Sequence, residues 1–242
     1  MAKSGGARGP RGASKGGRPV RKAPKKTPPR PTAEPRPVFD APAPVAPGPF
    51  RLGAIPGATP GTWIDRWKER MPQPLELVPL AVRDQRAALI DGDVDAAIVR
   101  LPIEREGLHV IPLYDEVAVV VTGRESHLTA ADELEYDDLV GEIVIVPLDD
   151  VLSLDIPGAL SPSFAPLGTT EEAVATVASG VGAVVVPMSL ARLHQRRDAA
   201  HRVLRGAPAS TVALAWVADR TTPAVEAFVG IIRGRTANSS RD

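Results

Sequence analysis

The chain contains no cysteine, which excludes disulfides, thiolate nucleophiles and sulfur-ligated metal sites. Aromatic residues are only 4% of the sequence while apolar residues reach 43%. The core must therefore be built mainly from Val, Leu, Ile and Ala, which suits parallel strands covered by helices. No run of eighteen apolar residues occurs, and the basic N-terminal residues are not followed by the apolar stretch of a secretory signal. A cytoplasmic location without a membrane partner is the expectation. The four histidines lack paired ligand spacing such as HExxH, so neither metal nor other cofactor is expected.

The formal net charge is zero, but it is unevenly spread. Residues 1–49 hold eleven Lys and Arg against Glu34 and Asp40, leaving eighteen basic against twenty-seven acidic residues in the remainder. This segment is also rich in proline and glycine and poor in large apolar residues, so it cannot bury enough surface to offset the entropy of ordering. It reads as a disordered basic tail, with a Pro-Ala spacer over 37–49. Arg18, Arg21, Lys22, Lys25, Lys26 and Arg30 could neutralise phosphates without reading bases, making nucleic acid a candidate partner with steep salt dependence. Solubilisation, or folding back on the acidic body, explains the same charge.

From Phe50 the pattern is α/β. Residues 50–55 read as a strand, and Thr59-Pro60 as an N-cap and first helical residue. The helix that follows places Trp63, Ile64, Trp67 and Met71 on one face and ends at Pro72. Residues 75–80 form a second strand, 83–91 a helix closed by Gly92, and 96–99 a buried third strand: a βαβαβ unit. Two β-rich runs, 108–113 and 117–122, are separated by Tyr114, Asp115 and Glu116. Thr129 and Asp132 resemble a helix start, and 143–146 a strand. Thr169 and Glu172 form a capping box ahead of Val174, Val177, Ala178 and Val181 at helical spacing, stopped by Gly180 and Gly182. A strand over 183–186, a helix over 188–195 and a strand over 211–217 follow. The final helix is capped by Thr222-Pro223 and turns Val225, Phe228, Val229 and Ile232 inward.

This order of parts resembles the effector-binding domain of LysR-type transcriptional regulators. The resemblance is carried by Phe50-Arg51-Leu52-Gly53, by Leu89-Ile90-Asp91-Gly92-Asp93-Val94-Asp95-Ala96-Ala97-Ile98, and by Gly180-Val181-Gly182-Ala183-Val184-Val185-Val186-Pro187. It implies a two-lobed type 2 periplasmic-binding-protein-like fold over 50–236. The first lobe would span about 50–114 and 213–236, the second about 115–212, with a flexible end at 237–242. A strand near 113–121 would cross between lobes. The resemblance further implies a small anionic effector in the cleft and a homodimer. The winged helix-turn-helix that such regulators carry is not seen before Phe50, where no periodic helical segment occurs.

Carried over by position, the cleft would be lined by Pro56, Gly57, Ala58, Thr59, Gly61 and Thr62 on one wall and by Val146, Pro147, Leu148, Thr169 and Thr170 on the other. Arg100, after the third strand, could pair with a carboxylate. Structural explanations stand beside these: Thr59 and Thr169 serve as helix caps, and Arg100 could pair with nearby Glu104 or Glu106. Gly57–Gly61 matches neither a dinucleotide fingerprint nor a phosphate-binding loop. Ser126 beside His127 lacks an acidic partner by motif, so no catalytic residue is expected. The Asp91, Asp93, Asp95 alternation lacks the rest of a calcium loop.

The leading expectation is a non-enzymatic sensor of a small metabolite with a link to transcription. The alternatives are a macromolecular interaction protein with a vestigial cleft, or an enzyme on the type 2 binding fold.

Overall fold

A short, mainly apolar segment between Pro49 and Pro56 starts the first sheet, and the computed structural model describes residues 48–234 of the chain. Strand β1 (Phe50–Ala54) leads through a short loop into helix α1 (Gly61–Arg70), whose last turn carries Lys68 and Arg70 against the negative end of the helix dipole. The N-cap is Pro60 and has no side-chain cap bond, so the expected cap at Thr59 is displaced by one residue. Trp67 is fully buried, stacks on Phe50 at 4.6 Å between ring centroids and meets the Phe228 ring edge-on. A chain poor in aromatics thus concentrates three of them in one cluster.

Strand β2 (Leu75–Pro79) and strand β3 (Ala96–Arg100) both pair in parallel with β1. Between them a 3-10 turn over Val82–Asp84 runs into helix α2 (Gln85–Asp91), closed by Gly92 at φ 81°. A left-handed residue is needed there, and glycine supplies it without steric cost. Of the three alternating aspartates, Asp95 accepts hydrogen bonds from the Arg51 amide at 2.7 Å and from Arg51 Nη2 at 3.5 Å, tying β3 to β1. Among the described residues no cluster of His, Asp or Glu could hold a metal ion.

Strand β4 (Leu108–Glu116) extends through Tyr114, Asp115 and Glu116, which were expected to break it. Only Val117 separates it from strand β5 (Ala118–Gly123), which lies in the other sheet. The second sheet also contains the short strands β6 (Glu133–Leu134) and β7 (Val144–Ile145), the latter half the expected length. Helix α3 (Thr170–Ala178) carries the expected capping box, with Thr169 Oγ1 accepting from the Glu172 amide at 3.2 Å. Val174 and Val177 are buried, but Val181 lies beyond the helix and is exposed.

Strand β8 (Ala183–Pro187) is followed by helix α4 (Met188–Leu193) and strand β9 (Ala199–Leu204). Strand β9 was not anticipated, because His201 and Arg202 interrupt its apolar pattern. The chain returns to the first sheet in strand β10 (Ser210–Val217) and ends in helix α5 (Pro223–Ile232), where Ile231 rather than Ile232 is fully buried.

The strand orders are β2-β1-β3-β10-β4 and β6-β9-β5-β8-β7. Each sheet is packed on both faces by its own apolar clusters, giving an α/β fold of two lobes joined by two chain crossings. The crossings fall at Val117 and between Leu204 and Ser210. Asp115, Glu116 and Ser210–Val212, expected in the second lobe, therefore belong to the first sheet. Among the described residues no helix is long and apolar enough to cross a membrane. The expected tail, its phosphate-contacting Arg18, Arg21, Lys22, Lys25, Lys26 and Arg30, and the expected flexible end lie outside the described residues.

Candidate functional site: a cleft between two sheets

The end of β3 is held unusually firmly. Gln85 of α2 is buried, its Nε2 donates to the Arg100 carbonyl and its Oε1 accepts from the Arg100 amide, both at 2.8 Å. This fixes the backbone from which the Arg100 side chain extends. That side chain is only 2% exposed and pairs through Nη2 with Glu116 Oε2 at 2.9 Å. Nη1 donates to Ser210 Oγ at 2.6 Å, and Nη2 also donates to Ser189 Oγ at 3.4 Å. Ser189 in turn donates to Glu116 Oε2 at 2.8 Å. Glu116 ends the strand leaving the first sheet, Ser210 begins the strand returning to it, and Ser189 sits on α4 of the second lobe. One buried guanidinium thus ties both crossings and the opposite lobe together.

Gly57 adds a second contact between lobes. Its φ is 82°, and a Cβ built there would lie 2.5 Å from Ser189 Oγ, so the loop after β1 presses directly on α4. Hollows open on both sides of this contact. One, of about 550 Å³, is lined by Gly57, Thr59, Tyr114, Glu116, Ser189 and Leu193 on the side of the crossings. The other, of about 480 Å³, opens between the lobes and is lined by Arg100 together with Val82, Leu148, Asp149, Thr169, Thr170 and others.

The second hollow combines one buried cation with a helix N-terminus. Arg100 Nε and Arg86 Nε are buried and lack hydrogen-bond partners among the described residues. Arg86 Nε still faces Glu104 Oε2 at 3.1 Å, whereas Arg100 Nε has no such compensation. Across the cleft, Thr170 Oγ1 donates to Asp149 Oδ1 at 2.8 Å, and Glu172 Oε2 accepts from the Gly168 and Thr169 amides. Asp150 is occupied by its own turn, accepting from the Leu152 and Ser153 amides.

The positions expected to line a cleft separate in the structure. Arg100, Thr169 and Thr170 meet around the 480 Å³ hollow. Gly57 and Thr59 face the hollow on the side of the crossings instead. Thr62 is exposed on α1 and lines neither, because the helix starts one residue later than expected and turns it away. Pro147 is buried beneath the surface against Val144, Ile145 and Leu154, and Leu148–Val151 form the wall in its place. The partner of Arg100 is neither Glu104 nor Glu106 but Glu116. Sequence reasoning missed Glu116, Ser189, Ser210 and Gln85. Ser210 opens a largely apolar strand, which was its available signal, whereas Glu116 follows Tyr114 and Asp115 and stood out by none.

His127 finds an acidic partner, Glu142, at 3.4 Å, but its side chain is 73% exposed and Ser126 Oγ accepts from the Leu128 amide as a helix cap. Tyr114 lies beside the ion pair with 37% of its surface exposed. Burial, followed by the Glu116 carboxylate, raises its phenol above the usual range, while Arg100 partly opposes the shift.

Comparison with known proteins agrees with this geometry. The chain is 23% identical over 182 residues to the Hca operon transcriptional activator HcaR of Escherichia coli (strain K12), covering 70% of this chain and 61% of HcaR. It is 41% identical over 76 residues to a probable hydrogen peroxide-inducible genes activator of Mycobacterium xenopi, covering 28% of this chain and 39% of that protein. The chain therefore spans less than two thirds of either relative. The BenM effector binding domain with its effector benzoate superposes with a TM-score of 0.63 at 19% identity, over 78% of this chain and 95% of that domain, which is a likeness of fold. The LysR substrate binding domain matches residues 45–237, and the chain belongs to that family.

Proposed function

We propose that the chain senses a small organic effector held in the 480 Å³ cleft and that it acts in transcriptional regulation. The observation that carries this reading is a cavity lined from both lobes by Arg100, Thr169 and Thr170, behind whose wall Arg100 Nε is a buried donor without a partner. Leaving such an atom unpaired is costly, and an acceptor oxygen on a ligand would relieve it. The volume suits one small metabolite. Because Arg100 also holds both crossings, a ligand drawing on it would bias the relation of the lobes to the extent that it prefers one arrangement.

The relatives add context. HcaR and the Mycobacterium xenopi protein are transcriptional activators by name, and BenM's domain holds benzoate. Peroxide sensing through cysteine thiols is not open to these 242 residues, which contain no cysteine. The basic segment, read from charge alone, supports a salt-dependent contact with nucleic acid. A side-by-side homodimer through the first lobe accompanies this reading, and sedimentation of the purified chain tests it.

A thermal-shift screen of small organic acids, amides and amino acids tests the effector reading. A ligand at about a hundred times its Kd should add about 2.7 kcal/mol of stability. Arg100→Gln should abolish that increment. A screen in which no metabolite raises Tm would refute the sensor.

A further inference from the structure

The charge around the cleft is more specific than an anion site requires. Arg100 is already neutralised by Glu116, and Arg83 at the rim is exposed and lies 3.6 Å from Asp84. The remaining ionisable side chains of the wall are Asp149, Asp150 and Glu171, with His194 at the end of α4. This is a property of the whole second lobe up to α4: residues 125–191 contain twelve Asp and Glu and neither Lys nor Arg. A simple carboxylate entering the cleft would meet donors at one end and uncompensated negative charge at the other. A simple cation would leave Arg100 Nε unpaired.

Donor and acceptor groups are nevertheless both present. The capping box occupies the Glu172 amide, and helix geometry leaves the Thr170 and Glu171 amides for a ligand or water. Beside the Arg100 guanidinium they suit a carboxylate. Asp149 receives the Thr170 hydroxyl on Oδ1, while Asp150 is held in a turn. Apolar side chains complete the wall: Val82, Val151 and Leu190, with Leu148 at 74% and Leu193 at 55% exposed. Large apolar surface of this kind is stabilised when a ligand covers it.

We propose that the cleft ligand is a zwitterion, an α-amino acid with an apolar side chain. Its carboxylate meets the start of α3 beside the Arg100 guanidinium, its ammonium meets Asp149, and its side chain covers Leu148 and Leu193. This rests on the effector reading given above and narrows it to one ligand class.

The test uses the full chain in calorimetric and thermal-shift titrations. L-leucine and L-phenylalanine are compared with 4-methylpentanoate and 3-phenylpropanoate, which lack the amine, and with 3-methylbutylamine and 2-phenylethylamine, which lack the carboxylate. The amino acids should bind at least about tenfold more tightly than either truncated set. Asp149→Asn keeps an Oδ1 acceptor for Thr170 while removing the charge, and should cost the amino acids about tenfold with the unliganded Tm unchanged. Acids that bind as tightly as the amino acids, or an Asp149→Asn protein with undiminished amino-acid affinity, overturn the zwitterion and leave the effector reading standing. If neither the six compounds nor a broad metabolite set stabilises the chain, both fail.

Discussion

Removing the Glu116 carboxylate would leave the Arg100 guanidinium 2% exposed and uncompensated. Breaking a buried pair from one side typically costs more than replacing both partners. Glu116→Gln should destabilise the fold by about 3–5 kcal/mol in urea denaturation, whereas the Arg100→Met, Glu116→Met double change should recover most of that loss. A neutral effect of Glu116→Gln would mean that water reaches the pair in solution. Tyr114 provides a second readout. Its folded pKa lies above its usual value of 10.0, so the protonated phenol contributes stability that is present below that value and lost as pH rises through the folded pKa. Phenolate absorbance should therefore appear later than for a free tyrosine and shift back toward it in Glu116→Gln. Neither Glu116 nor Ser210 could be matched to Arg100 from the sequence, because residues sixteen and 110 positions away meet it only after both sheets form.

At the level of elements, the signals readable in sequence were those completed within a few residues. The Thr169–Glu172 box, the Gly92 stop and the Thr222 cap all occur as their residue types demand. Thr169→Ala should cost about 1 kcal/mol, read by thermal denaturation, and should weaken cleft ligands because the same residue opens α3. Gly182 is more exacting. It has φ 66°, and a Cβ there would press into the Ile143 carbonyl oxygen where β7 meets β8. Gly182→Ala should cost more than about 1 kcal/mol, and a wild-type Tm would show that the turn can rearrange. Elements without such punctuation were misjudged. Strand β9 is half-buried, with His201 exposed and Arg202 donating to the Thr129 and Ala131 carbonyls, so its pattern lacks the apolar run that marks β3 or β8. Thr59 was displaced as a cap because Pro60, with its fixed φ, took that position itself.

For the whole molecule, the uneven charge is the property with the plainest experimental consequence. If residues 1–36 neutralise phosphates, deleting them should abolish nucleic-acid binding. In the full chain, log affinity should fall linearly with log salt concentration. Binding that survives the deletion unchanged would locate the contact elsewhere. The acidity of residues 125–191 acts at the same scale, and three of its carboxylates, Asp149, Asp150 and Glu171, line the cleft.

The sequence by itself determined the α/β class, the βαβαβ start, the two strongest helix caps and the absence of thiol chemistry, because composition and short-range spacing are sufficient for each. Tertiary structure alone decided that Arg100 is a buried tie with one unsatisfied nitrogen. It also decided that Thr62 and Pro147 leave the cleft and that Asp149 enters it. Those outcomes depend on where two sheets cross at Val117 and between Leu204 and Ser210, and on which side of the chain the crossings expose. A local pattern carries no information about that until distant segments pack.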